Sequence, residues 1–190
     1  MTRDEILINA VKSAQGSNYS GFLNIAPRVG KTKIAIECLR AGGFDKVLVT
    51  VPTNDLKDTW EMEMQKWSYY NSNLKVICKA SLKKEVDNLY DLILIDECHD
   101  LSVSQMGFLA LHNCKKLGLS GTVGPKSKFD LKDYLNLREI YLFSIDDAVD
   151  SNIISDYRIY LHYVNLDSNQ KVMVGTSKKQ WMSNEVAQYK

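Results

Sequence analysis

The sequence predicts an α/β fold, a mostly parallel sheet covered by helices on both faces, and three observations carry that expectation. Short apolar runs recur along the chain, "GFLNIA", "KVLVTV", "LKVICKA", "DLILID" and "KLGLS", each consistent with a strand buried on both faces. Helix-like stretches lie between them, and that alternation favours right-handed crossover units in a single sheet. The length, 190 residues, suits one sizeable core and a short appendage.

Taken in order, "TRDEILINAVKSAQ" opens with a Thr2 to Glu5 capping box and spaces Leu7, Ala10, Val11 and Ala14 as one helical face that ends near Gly16. After the first apolar run, "KTKIAIECLRA" reads as a helix stopped by Gly42 and Gly43. "TNDLKDTWEMEMQKW" sets Leu56, Trp60, Glu63 and Trp67 on neighbouring faces of another. "SVSQMGFLALHNC" follows the fourth run. "LREIYLF" and the alternating "DYRIYLHYV" read as further strands, joined by a short helix "SIDDAVDS" that Ser144 caps. From Asp167 the chain is polar until "SNEVAQYK", where Ser183 is placed to cap a helix of only two turns. The expected division is therefore a domain over 1–165 and a linker with a truncated helix over 166–190.

Composition narrows the function classes. With 45% hydrophobic and 25% charged residues, and 24 basic against 23 acidic side chains for a formal charge of +1, the chain lacks a basic footprint over its whole surface, so contact with nucleic acid has to be local. Cys38, Cys78, Cys98 and Cys114 form no C-x-x-C pair, which argues against a disulfide framework or zinc ribbon and for a reducing compartment. Cys98, His99, His112 and Cys114 lack metal-ligand spacing, and His99 is expected to hydrogen-bond within a site instead. No run approaches a membrane span, and "MTRDEILINA" lacks the build of a signal peptide. The expected location is the cytoplasm of a bacterium or infected host, or the nucleus of a eukaryote.

Two stretches carry chemistry. A phosphate-binding loop needs consecutive backbone N–H groups, a helix N-terminus behind them, a lysine, and a hydroxyl for magnesium. "IAPRVGKTK" offers these after a strand: Gly30 for the tight turn, Lys31 as cation, Thr32 as hydroxyl, and a helix from Lys33. Ile25 stands where the G-x-x-x-x-G-K-[ST] pattern has its first glycine. Arg28 is free to reach a phosphate, to reach nucleic acid or to remain solvated. "LILIDECHD" then sets Asp96 and Glu97 at the C-terminal end of a buried strand, where ligands bind in open α/β sheets. Magnesium takes hard oxygen ligands and an adjacent carboxylate can deprotonate water, so Asp96 suits the metal and Glu97 the nucleophile. Trp60 and Trp67 are spaced for packing rather than for stacking on bases.

In this order the motifs resemble the first RecA-like domain of a superfamily-two helicase or translocase, closest in character to phage and repair-type helicases. "APRVGKT" resembles motif I, "DECH" is a variant of the DEAD/DEAH box, "LGLSGT" resembles motif III, "VTVPTNDLKDTWEMEMQKW" is similar to motif Ia with its helix, and "KASL" sits where such proteins place another strand-contacting segment. The resemblance implies a RecA-like P-loop fold with ATP and Mg2+ as ligands. It implies a cradle of Pro27, Arg28, Val29, Gly30, Lys31, Thr32 and Lys33, with Lys31 on the β and γ phosphates. Thr32 and Asp96 would hold magnesium, and Glu97 would act as the base. His99, Ser120, Gly121 and Thr122 would couple nucleotide state to interdomain movement, while Pro52, Thr53 and Ser81 would lie near nucleic acid, DNA more than RNA. For Pro52 and Thr53, a strand-to-helix turn with Thr53 as N-cap explains the residues almost as well.

The resemblance also implies a second RecA-like domain in cis. No Q-x-x-G-R-x-x-R pattern is present, and the helix begun at Ser183 suggests the N-terminal part of a longer motor. An absent arginine finger costs on the order of 10³ to 10⁵ in rate, so slow hydrolysis is expected of this chain, as a monomer. Two other readings remain at this point: the motor of a phage terminase or restriction translocase, and a non-catalytic module that binds nucleic acid or a partner.

Overall fold

Thr2 accepts a hydrogen bond from the Glu5 N–H at 3.2 Å while the Glu5 carboxylate accepts from the Thr2 N–H at 2.7 Å, and this closed capping box starts α1, Arg3–Gly16. The computed structural model describes residues 1–156 together with the backbone of 171–174 and 180–183. It divides into one unit over Met1–Ser155 and another over Asp156–Lys190.

In the first unit, β1 (Gly21–Ile25), β2 (Val47–Val51), β3 (Leu74–Cys78), β4 (Leu92–Ile95), β5 (Lys115–Ser120) and β6 (Glu139–Phe143) form one sheet in the order β3-β2-β4-β5-β1-β6. Every pairing is parallel, as crossover connections require. The helices α2 (Lys31–Gly42), α3 (Asp55–Lys66), α4 (Val103–Ala110) and α5 (Pro125–Leu135) lie in connections between these strands, and α6 (Ile145–Asp150) follows β6, with Ser144 capping α6 through the Asp147 N–H.

The two-residue period of the strands divides the core. Leu23, Ile25, Val47, Val49, Leu92, Leu94, Leu117 and Leu119 face one way, against Ile6 and Ala10 of α1 and Ile34 and Leu39 of α2. Phe22, Leu48, Ile93 and Ile95 face the other, against Met106 and Leu109 of α4 and Leu131 of α5. Because β1, β4 and β5 are parallel neighbours in register, with Asn24 beside Ser120 and Ile95 beside Gly118, their C-terminal ends and the loops that follow open on one edge.

Gly118 permits a close approach at the centre of this arrangement. A Cβ there would lie 2.8 Å from Phe22 Cβ and 2.9 Å from Cys98 Sγ, so the missing side chain is the seat of the turn after β4. We expect Gly118→Ala to lower the unfolding free energy by about 1–3 kcal/mol through overpacking, read as a lower urea midpoint at constant slope. An unchanged midpoint would mean that Cys98 is not seated there.

Five features differ from the sequence reading. β3 is an edge strand with only Ile77 of its five residues fully buried, not a strand covered on both faces. A 3₁₀ segment, Lys79–Glu85, follows it directly. α3 starts at Asp55 behind Asn54, whose side chain makes no capping bond, so Thr53 is not its cap. α5, for which no element was expected, begins at Pro125 and ends on Asn136 in the left-handed conformation. The second unit holds an antiparallel pair, β7 (Lys171–Val174) with β8 (Gln180–Ser183), inside the stretch read as linker and truncated helix. The strand expected over "DYRIYLHYV" beyond Asp156, and the helix expected after Ser183, lie outside the described residues. Among the described residues no helix is long and apolar enough to cross a membrane.

Candidate active site

The loop between β1 and α2 turns through two left-handed residues, Arg28 at φ 65° and Gly30 at φ 110°. Gly30 occupies the N-cap position of α2, with its carbonyl accepting from the Ile34 N–H at 3.1 Å. No side chain caps that helix end, so its first N–H groups face the loop and favour an anion there. Val29 is buried and anchors the loop to the core, whereas Pro27 and Arg28 are exposed.

Across the edge, β4 ends in a turn that carries both acids. The Asp96 N–H donates to the Thr50 carbonyl of β2 at 2.9 Å, and the Glu97 N–H donates to Asp96 Oδ1 at 3.0 Å. Glu97 is left-handed, φ 47° and ψ 54°, an uncommon state for a residue with a side chain. It leads into a short 3₁₀ turn, Cys98–Asp100. The two loops meet there. Lys31 Nζ lies 2.5 Å from Glu97 Oε1, and Glu97 Oε2 lies 3.3 Å from His99 Nδ1. His99 Nδ1 is also 2.7 Å from the hydroxyl of fully buried Ser120 at the end of β5. Gly121 completes the contact, since a Cβ at that position would sit 3.2 Å from Lys31 Nζ and 3.3 Å from the Pro27 ring.

Burial pushes the Asp96 carboxyl above its ordinary value of 3.8, with the Trp60 hydrogen bond opposing that rise. The Trp60 indole N–H donates to Asp96 Oδ2 at 3.0 Å, and its side chain is 1% exposed. Trp60, expected only to pack, therefore packs and also orients an acid. A cavity of about 380 Å³ adjoins the loop, lined among others by Arg3, Arg28, Thr32, Lys33, Glu63 and Trp67. Lys33 Nζ stands 4.3 Å from the centre of the Trp67 ring, whose N–H donates to Glu63 at 2.7 Å. A larger open hollow, about 550 Å³ beside Gly43, Phe44 and Tyr69, lies at the opposite edge of the sheet and contains none of these groups.

Of the other residues singled out in the sequence, Thr32 is half-buried in the first turn of α2 and Thr122 is exposed beyond β5. The Pro52 carbonyl accepts from the Cys78 thiol at 3.2 Å. Thr53 is exposed, and Ser81 is half-buried in the 3₁₀ segment after β3. Among the described residues no group of three or more His, Cys, Asp or Glu side chains gathers as a metal cage. Lys79 is buried as well, and its alternation with buried Ile77 is the sequence signal that it points inward.

No family model matches this chain, and no curated protein matches it. Solved structures do. The helicase domain of Hef from Pyrococcus furiosus is similar at a TM-score of 0.64 and 16% identity, over 80% of this chain and 40% of that one. An ATP-dependent type ISP restriction-modification enzyme bound to DNA matches at 0.57 and 16% identity, over 80% of this chain and 16% of that one. The SWI2/SNF2 ATPase core of Sulfolobus solfataricus, in complex with dsDNA, matches at 0.51 and 18% identity, over 67% and 32%. This chain thus spans less than half the length of each. Together with the all-parallel sheet and its order, these likenesses establish that the chain has a RecA-like α/β fold.

Proposed function

We propose that the chain is the nucleotide-binding part of an ATP-dependent nucleic-acid helicase or translocase. The observation that carries this reading is the meeting of Lys31 with the Asp96–Glu97 turn, two stretches far apart in sequence, at the C-terminal edge of one sheet. The backbone N–H groups at the start of α2 and the Lys31 ammonium would take the β and γ phosphates. The cavity beside Thr32, Lys33 and Trp67 has room for ribose and base.

The donor set suits magnesium, since the Thr32 hydroxyl and the Asp96 carboxylate are both hard oxygens. When bound, the ion would neutralise charge on the phosphate oxygens. Glu97 would accept the proton of a water attacking the γ phosphorus as the bond to the ADP oxygen breaks. In the arrangement described, Lys31 is paired with Glu97, so nucleotide would exchange that pair for phosphate contacts and release the carboxylate for the water. The His99 to Ser120 contact would tie the acid turn to the end of β5 and carry nucleotide state outward.

DNA is the proposed track, on the motif Ia and "KASL" positions Pro52, Thr53 and Ser81 and on the DNA-bound fold neighbours. A second RecA-like domain would supply the arginine finger. The likeness to a restriction enzyme favours, as a second reading, the same ATPase serving a DNA-translocating nuclease. The two readings differ in the companion domain they call for: another RecA-like domain supports the helicase, a nuclease domain the translocase.

Titration of Mg-ATP and Mg-ADP against the wild type and Lys31→Ala tests the nucleotide reading. Loss of the charge-assisted phosphate contacts should weaken Mg-ATP at least about tenfold. Equal affinities, or binding by neither protein, would remove it.

A further inference from the structure

Lys79 is the one lysine buried below a tenth of its surface among the described residues, at 3% exposed, and lysine is seldom buried unless paired. It follows β3 in the parity of buried Ile77, which sends its stem inward beneath the acid turn. Its ammonium donates to the main-chain carbonyl of Glu97 at 2.7 Å. That carbonyl also accepts the Asp100 N–H at 3.0 Å, so both of its lone pairs are engaged. The peptide plane between Glu97 and Cys98 is thereby held from two sides.

We infer that Lys79 is a positioning residue for Glu97: its ammonium clamps the carbonyl of the left-handed residue and aims the carboxylate at the reaction centre without occupying it. This role rests on the ATPase reading of the site. A lysine bonded to the carboxylate would compete with Lys31 and with water. One bonded to the main chain leaves both carboxylate oxygens available, and here these face Lys31 and His99.

The charge arrangement points the same way. Burial lowers the affinity of the Lys79 amine for its proton, and Asp100, Cys98, Asp96 and Glu97 act against that loss. The acid turn therefore has its own counter-charge. When Lys31 moves from Glu97 to a phosphate, Lys79 remains, and the left-handed turn keeps its shape. Because the Glu97 N–H is bonded to Asp96 Oδ1, the clamp steadies the proposed metal ligand and the base as one unit.

The test uses the full 190-residue chain, with calorimetric titration of ADP free of magnesium and of Mg-ADP with beryllium fluoride as a γ-phosphate mimic. Wild type, Lys79→Met and Lys79→Arg are compared. The methionine variant keeps the length of the stem and removes the donor, so magnesium-free ADP should bind within about twofold of wild type. The additional affinity from magnesium and fluoride should fall about tenfold or more, the scale of one charge-assisted hydrogen bond. Arginine, which keeps charge and donors, should recover part of it. A folded Lys79→Met chain with the wild-type gain overturns the clamp alone. Wild type without that gain overturns the ATPase reading and the clamp with it. Should Lys79→Met fail to fold, shown by its circular dichroism, Lys79→Gln decides: its shorter donor predicts a reduced gain, and an undiminished gain overturns the role.

Discussion

Glu97→Gln should bind Mg-ATP at least as well as the wild type while hydrolysing it about 10²–10⁴-fold more slowly, the usual contribution of a positioned general base. The two halves of this expectation have separate causes. Glutamine cannot accept the proton of an attacking water at neutral pH, so the proposed chemical step would lose its base. Binding is spared because Glu97 is the group that holds Lys31 before nucleotide arrives, with Nζ 2.5 Å from Oε1. Removing that charge frees the lysine for the phosphates, and affinity should hold or rise a few-fold. Single-turnover hydrolysis with enzyme in excess measures the first quantity even where turnover is slow, and equilibrium titration measures the second. Equal hydrolysis by both proteins would remove Glu97 from the chemistry and favour a non-catalytic binding module on the same fold.

What was legible in the sequence follows from where the physics is local. The strand, turn and helix around Gly30, Lys31 and Thr32 could be read because these residues are contiguous and follow an apolar run of strand length. The acid turn could be read for the same reason, at the end of "LILI". Contacts that depend on strand order could not. Helical spacing sends Trp60 inward, but only the pairing of β2 with β4 brings Asp96 beside its indole. Lys79 was hidden inside "LKVICKA", where apolar content marked the strand and drew attention away from the lysine in step with Ile77. α5 escaped because its exposed Phe129 and Tyr134 blur the apolar period over a short segment. Its signals were the punctuation instead, Pro125 at the start and Asn136 at the stop. Asn24, polar in the middle of "GFLNI", did not spoil the reading of β1, and its burial is explained by the bond its amide donates to Glu139 Oε2 at 2.8 Å.

Trp60 should be among the most costly side chains in the domain to remove. Trp60→Ala empties a site of 1% exposure and is expected to lower the unfolding free energy by about 3–5 kcal/mol, a large part of the stability of a domain this size. Trp60→Phe separates packing from polarity. It keeps an aromatic ring in the core and deprives Asp96 Oδ2 of the donor now at 3.0 Å, leaving a buried acceptor unpaired at a cost of about 1–3 kcal/mol. The pH dependence distinguishes the two effects. Burial already holds the Asp96 carboxyl above 3.8 in the folded chain, and Trp60 is the leading influence that lowers it. The native state therefore retains a proton that the unfolded chain has released, and the associated stability is present below pH 3.8 and lost as pH rises through the native value. Without the indole donor the native value climbs further, so Trp60→Phe should lose stability over a wider range above pH 3.8 than the wild type. Chemical denaturation at a series of pH values measures this directly. A Trp60→Phe chain whose deficit is the same at every pH would show that the indole only fills space and that Asp96 does not depend on its N–H.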